Sequence, residues 1–139
     1  VTSTEAKWGA VSVYGGPFES PGFVLWRDFM RWQRGLNAVL KTFDLTQPQY
    51  AVLAVAGWLT REGKQVTQQD VVDFLKLDRM HISQIATRLE LKGLIRRQAS
   101  KTDLRSKIVT LTRDGHEKLT LVMPVVEAFD QAFFTQKHL

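Results

Sequence analysis

From Leu25 onward, apolar residues recur three and four positions apart: Leu25, Phe29, Trp32, Leu36, Val39 and Phe43. That spacing marks one face of a helix, expected over about 23–43. Trp26, Met30 and Leu40 widen the stripe. So broad and aromatic a face exceeds what one small domain covers, so part of it is expected against another subunit. Ahead of it, residues 1–22 hold Gly9, Gly15, Gly16, Pro17, Pro21 and Gly22 and no apolar period, which predicts an extended arm.

Thr46 suits an N-cap, and Pro48 falls in a first turn, where its missing N–H costs little. A helix is therefore expected over about 47–61, ended by Gly63, with Tyr50, Leu53, Ala54, Gly57 and Trp58 inward. Thr67 and Asp70 have the spacing of a capping box, and Val66 and Val71 that of a hydrophobic staple. The short helix they start reaches Leu75, with Val71, Val72, Phe74 and Leu75 inward. Asp78 caps a further helix that Gly93 stops. Its apolar face is Ile82, Ile85, Ala86 and Leu89.

After Gly93 the pattern shortens to two β-prone runs, 94–99 and 107–112, around a polar segment, which predicts a hairpin. Thr112 caps the last helical stretch. Pro124 is expected to divide it into 113–122 and 124–136, the second part apolar at Val125, Val126, Phe129, Phe133 and Phe134. The expected class is mainly α with a small β-hairpin, as one domain over 23–139 after the arm. A lobe over about 46–112 carries the short helices and the hairpin.

The 139 residues carry a net charge of +5. Between Arg79 and Arg113, nine Lys or Arg face only Glu90 and Asp103, so this window is +7 and the remainder −2. A localised cationic region favours a polyanionic partner. There is no cysteine, which removes disulfide and thiolate chemistry. No apolar run approaches the ~20 residues of a membrane span and no secretory leader is visible, so a cytoplasmic protein without a membrane partner is expected. His81, His116 and His138 are too scattered for a metal motif, and neither phosphate-loop nor serine-nucleophile signatures occur, so no cofactor and no enzyme activity are expected.

A short helix, a tight turn and a second helix with a polar outer face make a helix-turn-helix unit, whose second helix enters the major groove of DNA. Met80, His81, Ser83, Gln84, Thr87 and Arg88 form that outer face. Gln can read adenine and Arg guanine bidentately. In the hairpin, Lys101, Arg105 and Lys107 surround Asp103, which is expected to aim the Arg105 guanidinium into a minor groove. Arg96 and Arg97, at the hairpin base, are expected on phosphates.

With these residues assembled, the chain resembles the MarR family of winged helix-turn-helix regulators over roughly 23–136. The resemblance lies in "LTQPQYAVLAVAGWL", "VTQQDVVDFLKLDRMHISQIATRLELKGLIRRQ" and "DLRSKIVTLTRDGHEKL". The common DxRR wing tip reads Asp103-Leu104-Arg105-Ser106 here, without its second basic residue. The resemblance implies a winged-helix homodimer built from the N- and C-terminal helices (about 23–43 and 113–136). It also implies a pseudo-palindromic operator, repressor action, and a pocket between the dimer helices and the DNA-binding lobe. Trp26, Arg27, Met30, Arg31, Tyr50 and Trp58, with Phe18, are the residues here that could line such a pocket, which would suit a small aromatic or phenolic effector; the competing and favoured reading is that the tryptophans are dimer core. The alternatives are a winged helix used for protein interaction and an architectural DNA-binding module without operator preference.

Overall fold

The computed structural model describes residues 7–136, so residues 1–6 of the arm and His138 lie outside the described part. The chain opens with α1 (Trp8–Val11) and a 3-10 turn (Pro17–Glu19), so the described arm is wound rather than extended. Local contacts explain the correction. Trp8 Nε1 donates to the Tyr14 carbonyl at 3.0 Å, the Gly15 amide donates to the Glu19 carboxylate, and the Arg27 guanidinium lies 4.7 Å above the Phe18 ring. α2 (Pro21–Lys41) starts before its apolar stripe because Ser20 caps it, accepting from the Phe23 amide at 3.4 Å.

Each following helix begins at a side-chain cap. α3 (Gln47–Thr60) starts at a full capping box between Thr46 and Gln49. α4 (Gln68–Leu75) starts at the Thr67–Asp70 box, where Asp does the work usually done by Glu. Asp78 starts α5 (Arg79–Leu91), accepting from the His81 amide at 2.7 Å, and Gly93 follows its end at φ +74°. Between α4 and α5 the chain turns through Lys76, left-handed at φ 57°. The hairpin follows: β1 (Ile95–Ala99) pairs antiparallel with β2 (Lys107–Leu111), Ile95 opposite Leu111. The Val109 amide also donates to the Val66 carbonyl at 2.8 Å, laying the segment before α4 along β2.

One core joins these elements. Ile82, Ile85, Ala86 and Leu89 are all buried, as their spacing predicts, against Val52, Leu53 and Ala56 of α3 and Leu94, Ile95 and Val109 of the hairpin. Two inward assignments fail. Phe74 is 52% exposed, because Val71, Val72 and Leu75 take the inner arc of a two-turn helix and leave Phe74 at its rim. Trp58 is 54% exposed, because it projects opposite Val52, Leu53 and Ala56 and stacks instead under the Arg61 guanidinium, 3.4 Å from the ring centroid.

The last helix, α6 (Arg113–Thr135), runs unbroken through Pro124, contrary to the expected division. A proline inside a helix removes one donor and crowds the carbonyl four residues back. Packing outweighs that here: Val122 and Val126 are buried on either side, and Trp32 Nε1 donates to Asp130 Oδ1 at 2.9 Å, holding the far half on α2. At the near end, Thr112 Oγ1 donates to the Gly93 carbonyl at 2.6 Å and accepts from the Gly115 amide at 3.0 Å. Gly115 is therefore pressed on the end of the α5 turn, and a Cβ there would collide with the Leu94 carbonyl. Because the obstacle is backbone, Gly115→Ala is expected to destabilise the fold by about 1–3 kcal/mol in urea denaturation, whereas an unchanged midpoint would contradict this packing.

Candidate nucleic-acid interface

The polar face of α5 is open. Met80, His81, Gln84, Thr87 and Arg88 are exposed and Ser83 is half-buried. His81, Ser83, Gln84, Thr87 and Arg88 line one side of a 750 Å³ groove whose other side is Thr46, Pro48 and Gln49 at the start of α3. The α3 residues were not anticipated. Their only signal was the capping sequence that places them at a helix N-terminus.

The hairpin tip is organised by hydrogen bonds to its own backbone. Ser100 is buried, and its hydroxyl accepts from the amides of Thr102 and Asp103 at 3.3 and 3.2 Å. Asp103 Oδ1 accepts from the Arg105 amide at 3.0 Å and Oδ2 from the Ser106 hydroxyl at 3.3 Å. Asp103 thus shapes the turn through the main chain and does not hold the Arg105 guanidinium. A short side chain two residues away closes this local ring more readily than it reaches a long guanidinium. Among the described residues, Arg79, Arg88, Arg96, Lys101, Arg105 and Lys107 have no carboxylate within ion-pair distance.

Arg97 differs from its neighbours. Its side chain is only 15% exposed. Nη1 donates to Gln68 Oε1 at 3.2 Å, and Nη2 donates to Thr87 Oγ1 at 2.9 Å and Glu90 Oε1 at 3.1 Å. The Arg97 amide donates to the other Glu90 oxygen at 3.0 Å. The guanidinium expected on a phosphate is thus folded inward, because a carboxylate and two neutral acceptors lie within its reach. It ties β1 to α4 and α5. Arg96, the next residue, points away and is exposed.

These ties bring the two cationic elements together. Arg79 at the start of α5 and Arg105 and Lys107 of the hairpin line a single polar cleft of 230 Å³ with Thr67, Gln68 and Gln69 at the start of α4. Arg79 and the α4 N-terminus were not picked out as contacts from sequence, although the exposed amides and positive dipole end of a helix attract anions.

Comparison with known proteins agrees with this arrangement. The family model described as transcriptional regulator SarA/Rot matches residues 35–121. The HTH-type transcriptional regulator YdcH of Bacillus subtilis (strain 168) is 39% identical over 123 residues, covering 88% of this chain and 84% of YdcH. The chain belongs to the SarA/Rot family of transcriptional regulators, and its winged-helix fold is that of MarR structures. It is a regulator of transcription, not an enzyme. Among solved structures, a mutant of E. coli MarR complexed with operator DNA superposes with a TM-score of 0.71 at 24% identity, covering 81% of this chain and 78% of that one. A structure of Bordetella bronchiseptica BpsR, described as showing regulation of its DNA binding by 6-hydroxynicotinic acid, has a TM-score of 0.77 at 25% identity, covering 92% and 86%.

The residues expected to line an effector pocket are spread over α2, α3 and the arm. Trp58 lines a 500 Å³ cleft between α3 and α6 with Arg61, His116, Met123, Pro124 and Glu127. Trp26, Arg27, Met30 and Arg31 lie on α2, where Asp28 sits 3.7 Å from Arg27 and 3.8 Å from Arg31. Phe18 is bound up with Phe23 and Arg27. Burial raises the Tyr50 phenol above its ordinary value, and the carboxylates of Glu127 and Asp130 raise it further. Helical spacing put these residues on compatible faces but carried no information on which helix covers which.

The Arg97 hydrogen bond holds the Glu90 carboxyl below its usual range. A lowered folded-state value stabilises above the ordinary carboxylate pKa of about 4.3, and this contribution is lost as pH falls through the lowered value. In Arg97→Met, the Glu90 midpoint followed by NMR is therefore expected to rise toward the usual range. A midpoint equal to that of the parent protein would show that the tie is absent in solution.

Proposed function

We propose that this regulator is a cytoplasmic homodimer that reads a pseudo-palindromic operator and represses until an aromatic effector releases it. Each subunit lays α5 in a major groove and its β1–β2 tip in the adjoining minor groove. The observation that carries this reading is the common face of α5 and the hairpin, joined through Arg97, with Arg79, Arg105 and Lys107 around one cleft. Gln84 and Arg88 are the base readers, with His81, Ser83 and Met80 beside them. Arg79, Arg96, Lys101 and Lys107 take phosphates, and Arg105 enters the minor groove on a tip shaped by Asp103. Arg97 acts as the strut between the two readers.

A second copy of the chain is the partner that suits α2 and α6. Leu25 and Trp26 are 72% and 61% exposed, and Phe23, Phe29, Leu121, Val125 and Phe134 are also exposed on the same two helices. An apolar surface of this extent on a monomer favours self-association. The effector reading rests on the cleft between α3 and α6, where an aromatic wall and the Arg61 cation suit an aromatic acid. The aromatic acid in the description of BpsR is of that class.

Selection of bound genomic fragments at two salt concentrations tests the proposal, with specific sites expected at least ~10³-fold tighter than background. Arg105→Ala should weaken binding to every sequence and reduce the salt slope by about 1. Gln84→Ala should relax preference at one base pair per half-site, at a cost of about 1–3 kcal/mol. Equal binding to all fragments would instead support an architectural module. Phe29→Glu should halve the mass in sedimentation equilibrium; a monomeric parent protein would contradict the dimer.

A further inference from the structure

Thr87 lies on the open face of α5, one turn beyond Gln84 and in the same groove. A threonine hydroxyl has one proton to give, and here it is given: Oγ1 donates to the Ser83 carbonyl at 2.9 Å. The same oxygen accepts from Arg97 Nη2 at 2.9 Å. The hydroxyl is thus secured from two sides, by its own helix and by the hairpin strand. The residue nevertheless remains exposed. With the hydroxyl engaged, the methyl is the remaining functional end of this exposed side chain.

We infer that Thr87 is a specificity-determining residue that reads a thymine through methyl–methyl contact, its hydroxyl being engaged within the protein. The inference rests on α5 lying in the major groove, as proposed above. In that groove the thymine C5-methyl is the one apolar group a base pair presents, and a threonine methyl is a recognised partner for it. A free threonine hydroxyl would be less selective, because it can donate to or accept from several base edges. Spending the proton and one of the two lone pairs inside the protein leaves the hydroxyl a single acceptor site, which narrows what it can read on a base edge.

The test uses the full chain and its selected operator, with thymines replaced one at a time by deoxyuridine, which lacks only the methyl. The parent protein should lose about 3–5-fold in affinity at one thymine per half-site, the worth of one buried methyl. Thr87→Val keeps the methyl and should keep that penalty. Thr87→Ser keeps the hydroxyl, loses the methyl, and should bind thymine and deoxyuridine operators equally. A penalty that survives in Thr87→Ser, or vanishes in Thr87→Val, overturns the inference, as does a parent protein indifferent to every replacement. Failure of the parent protein to prefer its operator over a scrambled duplex would instead overturn the DNA-reading proposal itself. Circular dichroism of both variants, expected to match the parent, separates loss of contact from loss of fold.

Discussion

Arg97 reaches from the hairpin to two helices, and the surface proposed to face DNA depends on where it reaches. Its guanidinium is withdrawn from solvent and meets Gln68 on α4, Thr87 on α5 and the Glu90 carboxylate. A cation taken out of water must be paired and hydrogen-bonded, or it costs several kcal/mol. Glu90 supplies the charge, and its carboxyl is held below the usual range in return. Because the acceptors sit on separate elements, the bonds from Nη1 and Nη2 tie the hairpin to the helix-turn-helix, while Nε is buried without a partner. A two-stranded hairpin is marginal alone, and here it is also secured by the Val109 amide on the Val66 carbonyl.

This inward cation also sorts the rest of the charge. Glu90 is spent on Arg97, and Asp103 is spent on the amide of Arg105 and the hydroxyl of Ser106. The two carboxylates of the basic window are thus both engaged, and among the described residues its remaining arginines and lysines on α5 and the hairpin have no carboxylate within ion-pair distance. At the opposite end of α5, the Thr112 hydroxyl bonds the Gly93 carbonyl and starts α6 there. The long helix that lines the Trp58 cleft is therefore fastened just beyond the end of α5.

Much of this was legible in the chain because it is local. The inner face of α5, the caps at Thr46, Thr67, Asp78 and Thr112, and the hairpin each follow from residues within a turn or two of one another. What escaped was long-range or a contest between local and tertiary forces. Nothing near Arg97 in sequence says that Gln68, twenty-nine residues earlier, will meet it. Pro124 carries a strong local signal for a break, and buried Val122 and Val126 override it. Trp58 and Phe74 look like core residues by type, yet neighbouring smaller residues fill the inner arcs of their helices.

The central claim is that α5 and the hairpin tip contact a duplex as one rigid face. Hydroxyl-radical and methylation footprinting of the operator complex tests it most directly. The account predicts major-groove protection in each half-site with minor-groove protection immediately outside it, the pair repeating about one helical turn or a multiple of it away. Both protections should weaken together when Arg97 is replaced by Met. Major-groove protection that persists unchanged without any flanking minor-groove protection would contradict the account.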